Sequence, residues 1–369
     1  MVGPEQSLPV EPLDTISPSQ YSWIKQCSLR SLWSRTTDAL LPTSPKARVG
    51  SVIHRVVEKV SRGELDPQDE QVFQDAWDSE VERAEKRMKS SWLSRRFVPL
   101  SGSVPTLRVM YHQTRHRAIE LHQAKRNSTG TGSARTEVQV KSREGKVSGR
   151  VDKAIDTRNG VILQDYKSGS IFSSAGPNGG NLKERYKSQM KLYASLYHAS
   201  YGVWPVCLQL VALGGEVRKV NYTVREGVDL LDEARRLLEN INQRVNDVQE
   251  GRAQTPVLAD PDTEACSVCN FRPACQSYWR ARGGGSSEWP PDLRGHVRET
   301  EVDSEDRLLL RLLTSPDQCK KVVHGIEPNM VRGEDAHDLV KDSWVEVYNL
   351  YQKSEEVYKA TKYTVGYFQ

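Results

Sequence analysis

The chain has 369 residues, 37% hydrophobic and 27% charged, with 52 Lys and Arg against 48 Asp and Glu for a net charge of +4. That length buries a substantial core and suits more than one domain, and no run of about 18 apolar residues offers a transmembrane helix. No signal peptide is read at the N-terminus, so a cytoplasmic protein without a disulfide framework or a membrane partner is expected.

Residues 1–14 read as a flexible N-terminus, and residues 17–27 (SPSQYSWIKQC) lead to a first cysteine, Cys27. Over residues 48–58 the apolar positions Val49, Ile53, Val56 and Val57, continued by Val60, mark one face of a helix. His54 stands on it four residues after Gly50. A lone histidine beside such a stripe is ordinarily structural. A helical insert follows, over about residues 60–130. From Arg83 to Arg126 it carries eleven Lys and Arg against two acidic residues, Glu85 and Glu120, with Trp92, Phe97 and Tyr111 interleaved. Two readings stand: a surface for a polynucleotide backbone and stacked bases, or a solvated helical face with buried aromatics.

The densest chemistry comes next. Residues 146–151 read as a short strand ended by Asp152, residues 157–160 (TRNG) as a tight turn, and residues 161–167 (VILQDYK) as a second strand. Side chains two apart on a strand share a face, so Asp165 and Lys167 point the same way. A hairpin of this kind brings Asp152 toward both. Two acidic oxygen ligands suit Mg²⁺ or Mn²⁺, and a lysine beside them can orient a water or stabilise charge on a phosphate. The plain alternative is a set of solvated charges on an exposed hairpin.

Residues 168–181, rich in Gly and Ser, read as a mobile connection that could admit substrate. Residues 182–201 read as a helix whose Gln189 and Tyr193, four apart, project together, with Tyr197 one turn on. Cys207 lies in an apolar strand-like run, 206–213, as a buried thiol. Residues 228–250 form a long charged amphipathic helix leading to Cys266, Cys269 and Cys275 in a compact C-x2-C-x5-C arrangement. Three clustered thiols call for a fourth ligand, and four thiolates bind Zn²⁺ or an iron–sulfur cluster; spacing alone does not choose between them. Residues 281–292 read as a linker. Residues 293–369 are more acidic than basic, and 343–351 and 357–368 alternate like strands. They suit a small mostly-β domain of OB type with aromatics for single-stranded bases, or a subunit-docking module.

Together the motif residues resemble the PD-(D/E)XK nuclease superfamily in its RecB-like branch, over residues 15–280. The resemblance implies an α/β, restriction-endonuclease-like core with a mixed central sheet flanked by helices. Asp152 would be the first motif aspartate, with Asp165, Tyr166 and Lys167 as the (D/E)-X-K, and Glu137 the glutamate that opens the strand before it, as a metal ligand or a support. His54, Asp152, Asp165 and the Tyr166 carbonyl would hold Mg²⁺ or Mn²⁺, and Gln189 and Tyr193 would line the DNA path. Cys27, Cys266, Cys269 and Cys275 match the one-before, three-after cysteines that staple some members, AddB and CRISPR-associated ones among them, with a [4Fe–4S] cluster. The implied activity is metal-dependent DNA hydrolysis, exonucleolytic on single strands or ends, in repair, recombination or antiviral defence. The alternative is a non-catalytic DNA-binding subunit of a helicase–nuclease or defence complex. No Walker A motif is present, so ATP-driven unwinding would come from a helicase partner.

Overall fold

The computed structural model describes residues 8–126, 133–167, 169–173, 180–212, 216–283, 288–333 and 341–368. Ser168 and residues 174–179 of the Gly/Ser connection, and 284–287 of the linker, lie outside the described residues.

The N-terminal helices are α1 (Pro18–Gln26), α2 (Ser28–Thr36), α3 (Pro45–Arg62), α4 (Glu70–Lys89), α5 (Leu100–Ser103) and α6 (Leu107–Arg126). Pro45 in the first turn and Gly63 in the left-handed conformation (φ 79°) delimit α3. Its stripe Val49, Ile53, Val56 and Val60 is buried against α4 and α6, and Val57 is half-buried. The insert's aromatics turn inward. Tyr111 packs on Phe73 and Trp77, Phe97 on Tyr363, and Trp92 on Tyr367. Tyr111 and Phe97 thus follow the second reading, each burial stabilising the insert by about 1.5–3 kcal/mol, whereas Trp92 is half-buried and lines a cleft along α3.

A five-stranded sheet follows, β1 (Ala134–Lys141), β2 (Ser148–Thr157), β3 (Gly160–Lys167), then α7 (Glu184–Tyr201), β4 (Cys207–Ala212) and β5 (Val217–Val220), in the order β1-β2-β3-β4-β5. All pairs are antiparallel except β3–β4, which α7 joins as a parallel crossover. The mixed sheet flanked by helices is the α/β architecture expected. The next helix, α8 (Val224–Gln249), starts four residues earlier than its charge pattern suggests because Thr223 and Glu226 close a capping box. Residues 8–14, read as flexible, are packed: Asn242 of α8 exchanges hydrogen bonds with the Leu13 backbone (2.8 and 2.9 Å), and Leu8, Val10 and Leu13 are buried. Cys207 is half-buried rather than buried, at the start of β4.

Beyond α9 (Thr263–Ser267) and α10 (Gln276–Arg282) lies a second sheet of β6 (Leu293–Val302), β7 (Leu308–Thr314), β8 (Lys320–Ile326), β9 (Val331–Gly333), β10 (Trp344–Tyr348), β11 (Tyr351–Gln352), β12 (Val357–Lys359) and β13 (Val365–Phe368). Its order is β11-β12-β8-β7-β6-β10-β13-β9. The single strand expected over 357–368 is split, because the Thr361 and Thr364 hydroxyls both bond the Asn349 carbonyl and fold the chain into a turn. The aromatics expected to stack on bases are again mostly internal. Tyr348, Tyr358, Tyr367 and Phe368 are buried, whereas Tyr351 is exposed.

The end of the expected linker is not a free tether. Asp292 is fully buried, where it accepts from Arg272 Nε (2.7 Å), Tyr278 Oη (2.8 Å) and the Asn349 backbone N–H (2.8 Å). Arg272 is buried too and also donates to the Cys266 and Cys269 carbonyls at 2.9 Å. Removing one partner of such a pair leaves an uncompensated charge. Asp292→Ala should lower unfolding free energy by about 3–5 kcal/mol, while Asp229→Ala, at an exposed pair, should change it by less than about 1 kcal/mol. Denaturant titration of both variants checks this; equal, small losses would refute the docking role of Arg272.

Candidate active site

Strand β3 alternates buried and half-buried side chains, which places Val161, Leu163 and Asp165 on the face toward α7. Asp165 is only 3% exposed. Gln189 of α7 donates from Nε2 to Asp165 Oδ1 (3.0 Å) and accepts at Oε1 from Lys167 Nζ (2.9 Å). Lys167 Nζ also lies 2.5 Å from Asp165 Oδ2. One amide thus bridges the carboxylate and the ammonium. Tyr193 stands one helical turn on, 3.4 Å from Gln189 Nε2, and burial followed by the Asp165 charge holds its phenol protonated.

Asp152 does not end its strand, as the residue pattern suggested: β2 runs on to Thr157, pairing with β3 from Lys153↔Gln164 to Thr157↔Gly160. Beyond Gln164 the two strands fork. The Asp152 carboxylate takes the Tyr166 N–H (2.6 Å), a donor that ladder pairing would otherwise use. On the other side, Glu137 adopts a positive φ (55°) and drops out of the β1–β2 register opposite Asp152. Gly149 lets the parts close up, since a Cβ there would sit 2.8 Å from Pro18 and 3.1 Å from Tyr193. The fork opens a small cavity, about 40 Å³, lined by His54, Glu58, Glu137, Asp152, Tyr166 and Lys167 among others.

The electrostatics of this cavity suit a cation. Burial, then the neighbouring Asp165 charge, raises the Asp152 pKa well above the usual carboxylate range. Burial also raises Glu137, against the opposing pull of its ion-pair partner Arg150. His54 keeps a solvent-exposed edge, yet crowding and then Lys167 lower its pKa, favouring the neutral imidazole that binds metal. Among the described residues, the buried carboxylate oxygens without a hydrogen bond are Glu137 Oε2 and Asp165 Oδ2. Both belong to this site and each instead touches a cation, Arg150 Nε at Glu137 and Lys167 Nζ (2.5 Å) at Asp165; with Asp152 they form an all-oxygen carboxylate set of the kind that Mg²⁺ or Mn²⁺ takes. As they stand, no three His, Cys, Asp or Glu among the described residues are close enough to hold one ion; Asp152 and Asp165 are turned onto Tyr166 N–H and Gln189. The residue pattern missed four members. Glu58 sits one turn after His54, a spacing that could have marked it. Arg150 pairs with Glu137 and lies 3.5 Å from Glu58. Arg117 of α6 stacks on the Tyr166 ring (5.0 Å), and Tyr186 lies under Lys167 (4.8 Å).

Cys27, Cys266, Cys269 and Cys275 are free thiols lining a single small cavity. Burial pushes the Cys266 and Cys275 thiols up to about 12, and Cys269 upward as well, so their thiolates need a compensating positive charge. The Phe271 and Tyr278 N–H groups each donate to a cysteine sulfur at 3.4 Å. A larger cleft of about 820 Å³ runs along the adjoining side of α3, where Arg48, Ser51 and Arg55 face Arg87, Arg332 and Tyr367.

Residues 15–276 match the family model of the PD-(D/E)XK nuclease superfamily, and the chain belongs to that superfamily. Its members are phosphodiester hydrolases that typically use Mg²⁺ or Mn²⁺. Over 74 residues the chain is 38% identical to an ATP-dependent helicase/nuclease subunit of Streptococcus mutans, a stretch that is 20% of this chain and 6% of that protein. Two solved structures align at low scores. SSO0001 shares 16% identity over 62% of this chain and 96% of its own, with a TM-score of 0.26. Protein VC1899 from Vibrio cholerae shares 15% over 63% and 58%, with a TM-score of 0.20. Scores that low carry no weight for the fold. Among the described residues no helix is long and apolar enough to cross a membrane.

An Asp152 that stays protonated to higher pH when folded than when unfolded costs stability as pH rises. The unfolded carboxyl releases its proton near pH 4, so above that the unfolded state binds fewer protons and stability falls. In chelator, Asp152→Asn should therefore stabilise the protein by ~1–3 kcal/mol at pH 8 and by less at pH 5. Thermal unfolding at both pH values tests this, and an equal gain at both would refute it.

Proposed function

We propose that the chain is a metal-dependent deoxyribonuclease that cleaves single-stranded DNA or DNA ends, most simply as an exonuclease. The observation that carries this reading is the Asp165–Gln189–Lys167 ring, whose lysine reaches the same small cavity as Asp152, Glu137 and His54. His54, Asp152, Asp165 and the Tyr166 carbonyl would hold Mg²⁺ or Mn²⁺. When bound, that ion would lower the pKa of a coordinated water and offset charge on the phosphate. Lys167 would position the attacking water or stabilise the phosphate, with Gln189 fixing the ammonium. Gln189 and Tyr193 would also guide the strand. The cleft along α3, lined by Arg48, Arg55, Arg87 and Arg332, supports a polyanion lying against the helix that carries His54.

The four cysteines would hold a [4Fe–4S] cluster that ties the segment around Cys27 to the one around Cys275. Their shared cavity, the N–H···S bonds and the thiols' need for positive charge support this, and a four-iron cluster spreads its thiolates wider than a single ion does. Residues 15–280 would be the nuclease domain and 293–369 a small β domain, OB-like in its short paired strands. The similarity to part of a helicase/nuclease protein supports a helicase partner, in repair, recombination or defence. A non-catalytic DNA-binding subunit is the second reading, but nothing in such a role requires Lys167 to be held by Gln189.

Asp165→Ala and Lys167→Ala should each reduce Mg²⁺- or Mn²⁺-dependent degradation of end-labelled DNA by at least about 10²-fold without loss of folding. Cleavage that survives both substitutions would sink the nuclease assignment to this site, and nicked circles would make the enzyme an endonuclease. Protein purified without oxygen should carry about four irons per chain and visible charge-transfer absorbance, both lost in Cys275→Ser. Zinc in their place would overturn the cluster.

A further inference from the structure

A second basic cleft, about 670 Å³, opens between the helical insert and the C-terminal sheet and shares no lining residue with the carboxylate cavity. Residues 293–369 hold fourteen Asp and Glu against eleven Lys and Arg. Even so, this cleft gathers Lys353, Lys359, Lys362 and Arg307 from that segment, with Arg96 from the insert, against Asp303 and Glu327. Asp303 is already committed: it accepts from Arg307 Nε (2.9 Å) and from the Glu305 and Arg307 backbone N–H groups. Lys353 begins the β11–β12 turn and Lys359 ends β12, where it lies in register with His324 of β8. Among the described residues the three lysines form no ion pair.

Arg96 supplies an independent observation. Its Nη2 donates to the Thr364 carbonyl at 2.8 Å, but its Nε and Nη1 are buried without an acceptor among the described residues. A half-buried guanidinium so sparingly bonded is stabilised by negative charge placed next to it, and Glu327 is the carboxylate felt there. The exposed lysines can supply the direct contacts, with Arg96 adding field from the wall. Leu309 gives the cleft a half-buried apolar side, with Phe97 and Met330 buried behind its lining, and its volume falls in the range of about 300–1,000 Å³ that holds small ligands. Clustered lysines bind phosphate as point charges, and an apolar wall beside them suits a base or sugar.

We propose that this cleft is a second, non-catalytic site for nucleoside phosphates, either links of a polynucleotide strand or a free nucleotide. The test uses the full chain carrying Lys167→Ala, in chelator and with recovery of intact probe checked on a gel, so that binding is read without cleavage whether or not the active-site reading holds. Binding of a labelled twelve-residue oligothymidylate and of ATP is compared in that parent, with Lys353→Glu/Lys359→Glu added, with Lys362→Glu added, and with the off-cleft control Lys320→Glu/Lys341→Glu. The cleft variants should weaken binding about tenfold or more, against less than about threefold for the control. Loss for the oligonucleotide alone assigns a polynucleotide; loss for ATP assigns a free nucleotide. Unchanged affinity for both probes in folded cleft variants, or an equal loss in the control, overturns the proposal.

Discussion

Asp165 lies between β3 and α7 almost out of reach of solvent, and the arrangement of its neighbours follows from the cost of that burial. A lone ionised carboxylate there would be penalised by several kcal/mol. Lys167, two residues on and on the same face, supplies the opposite charge, but an ammonium on a flexible stem needs holding. Gln189 does so with one amide, its donor end on Asp165 and its acceptor end on Lys167. A glutamate in its place would repel Asp165, and a leucine would leave both groups unsatisfied. Tyr193 follows on the same helical face, so the requirement at one strand residue propagates along α7.

The second constraint is the fork between β2 and β3. Backbone N–H groups must find acceptors, and the Tyr166 N–H finds the Asp152 side chain rather than the β2 backbone. One hydrogen bond thereby ends the ladder, fixes the Asp152 rotamer and leaves room between the strands. The irregularity at Glu137, across from Asp152, belongs to the same opening. Helix α3 then closes the cavity from the insert side. Its valine stripe is anchored in a core of the insert's own aromatics, so His54 and Glu58 are presented from a rigid element.

What was legible in the residues was what depends on short spacing. Asp165 and Lys167 at i,i+2, Gln189 and Tyr193 at i,i+4, and His54 on its apolar helix were all placed on the right elements, because local periodicity determines which side chains share a face. Features set by long-range pairing were not legible. Asp152 was placed at a strand end because nothing local shows that β2 continues. Arg150 and Arg117 were passed over because their partners lie on other elements. The aromatics of the insert and of the C-terminal sheet read as available rings, yet composition cannot tell a ring that stacks on a base from one that fills a core. Strands β6 to β9 escaped notice for a related reason: β7 (LLLRLLT) is an apolar run whose strand character appears only once β6 and β8 pair with it.

Arg272 connects these levels. Its guanidinium holds the Cys266 and Cys269 carbonyls on one side and Asp292 and Asn349 on the other. The cysteine segment and the C-terminal sheet are therefore joined through a buried charge, and neither can shift without breaking it. That junction lies beside Pro273 and Ala274, which border the cleft along α3 together with Arg332 and Tyr367 of the C-terminal sheet. The Tyr367 hydroxyl in turn donates to the Leu40 carbonyl (2.5 Å), just ahead of α3. The cysteine segment and the surface alongside the helix bearing His54 therefore share a border, at Pro273 and Ala274.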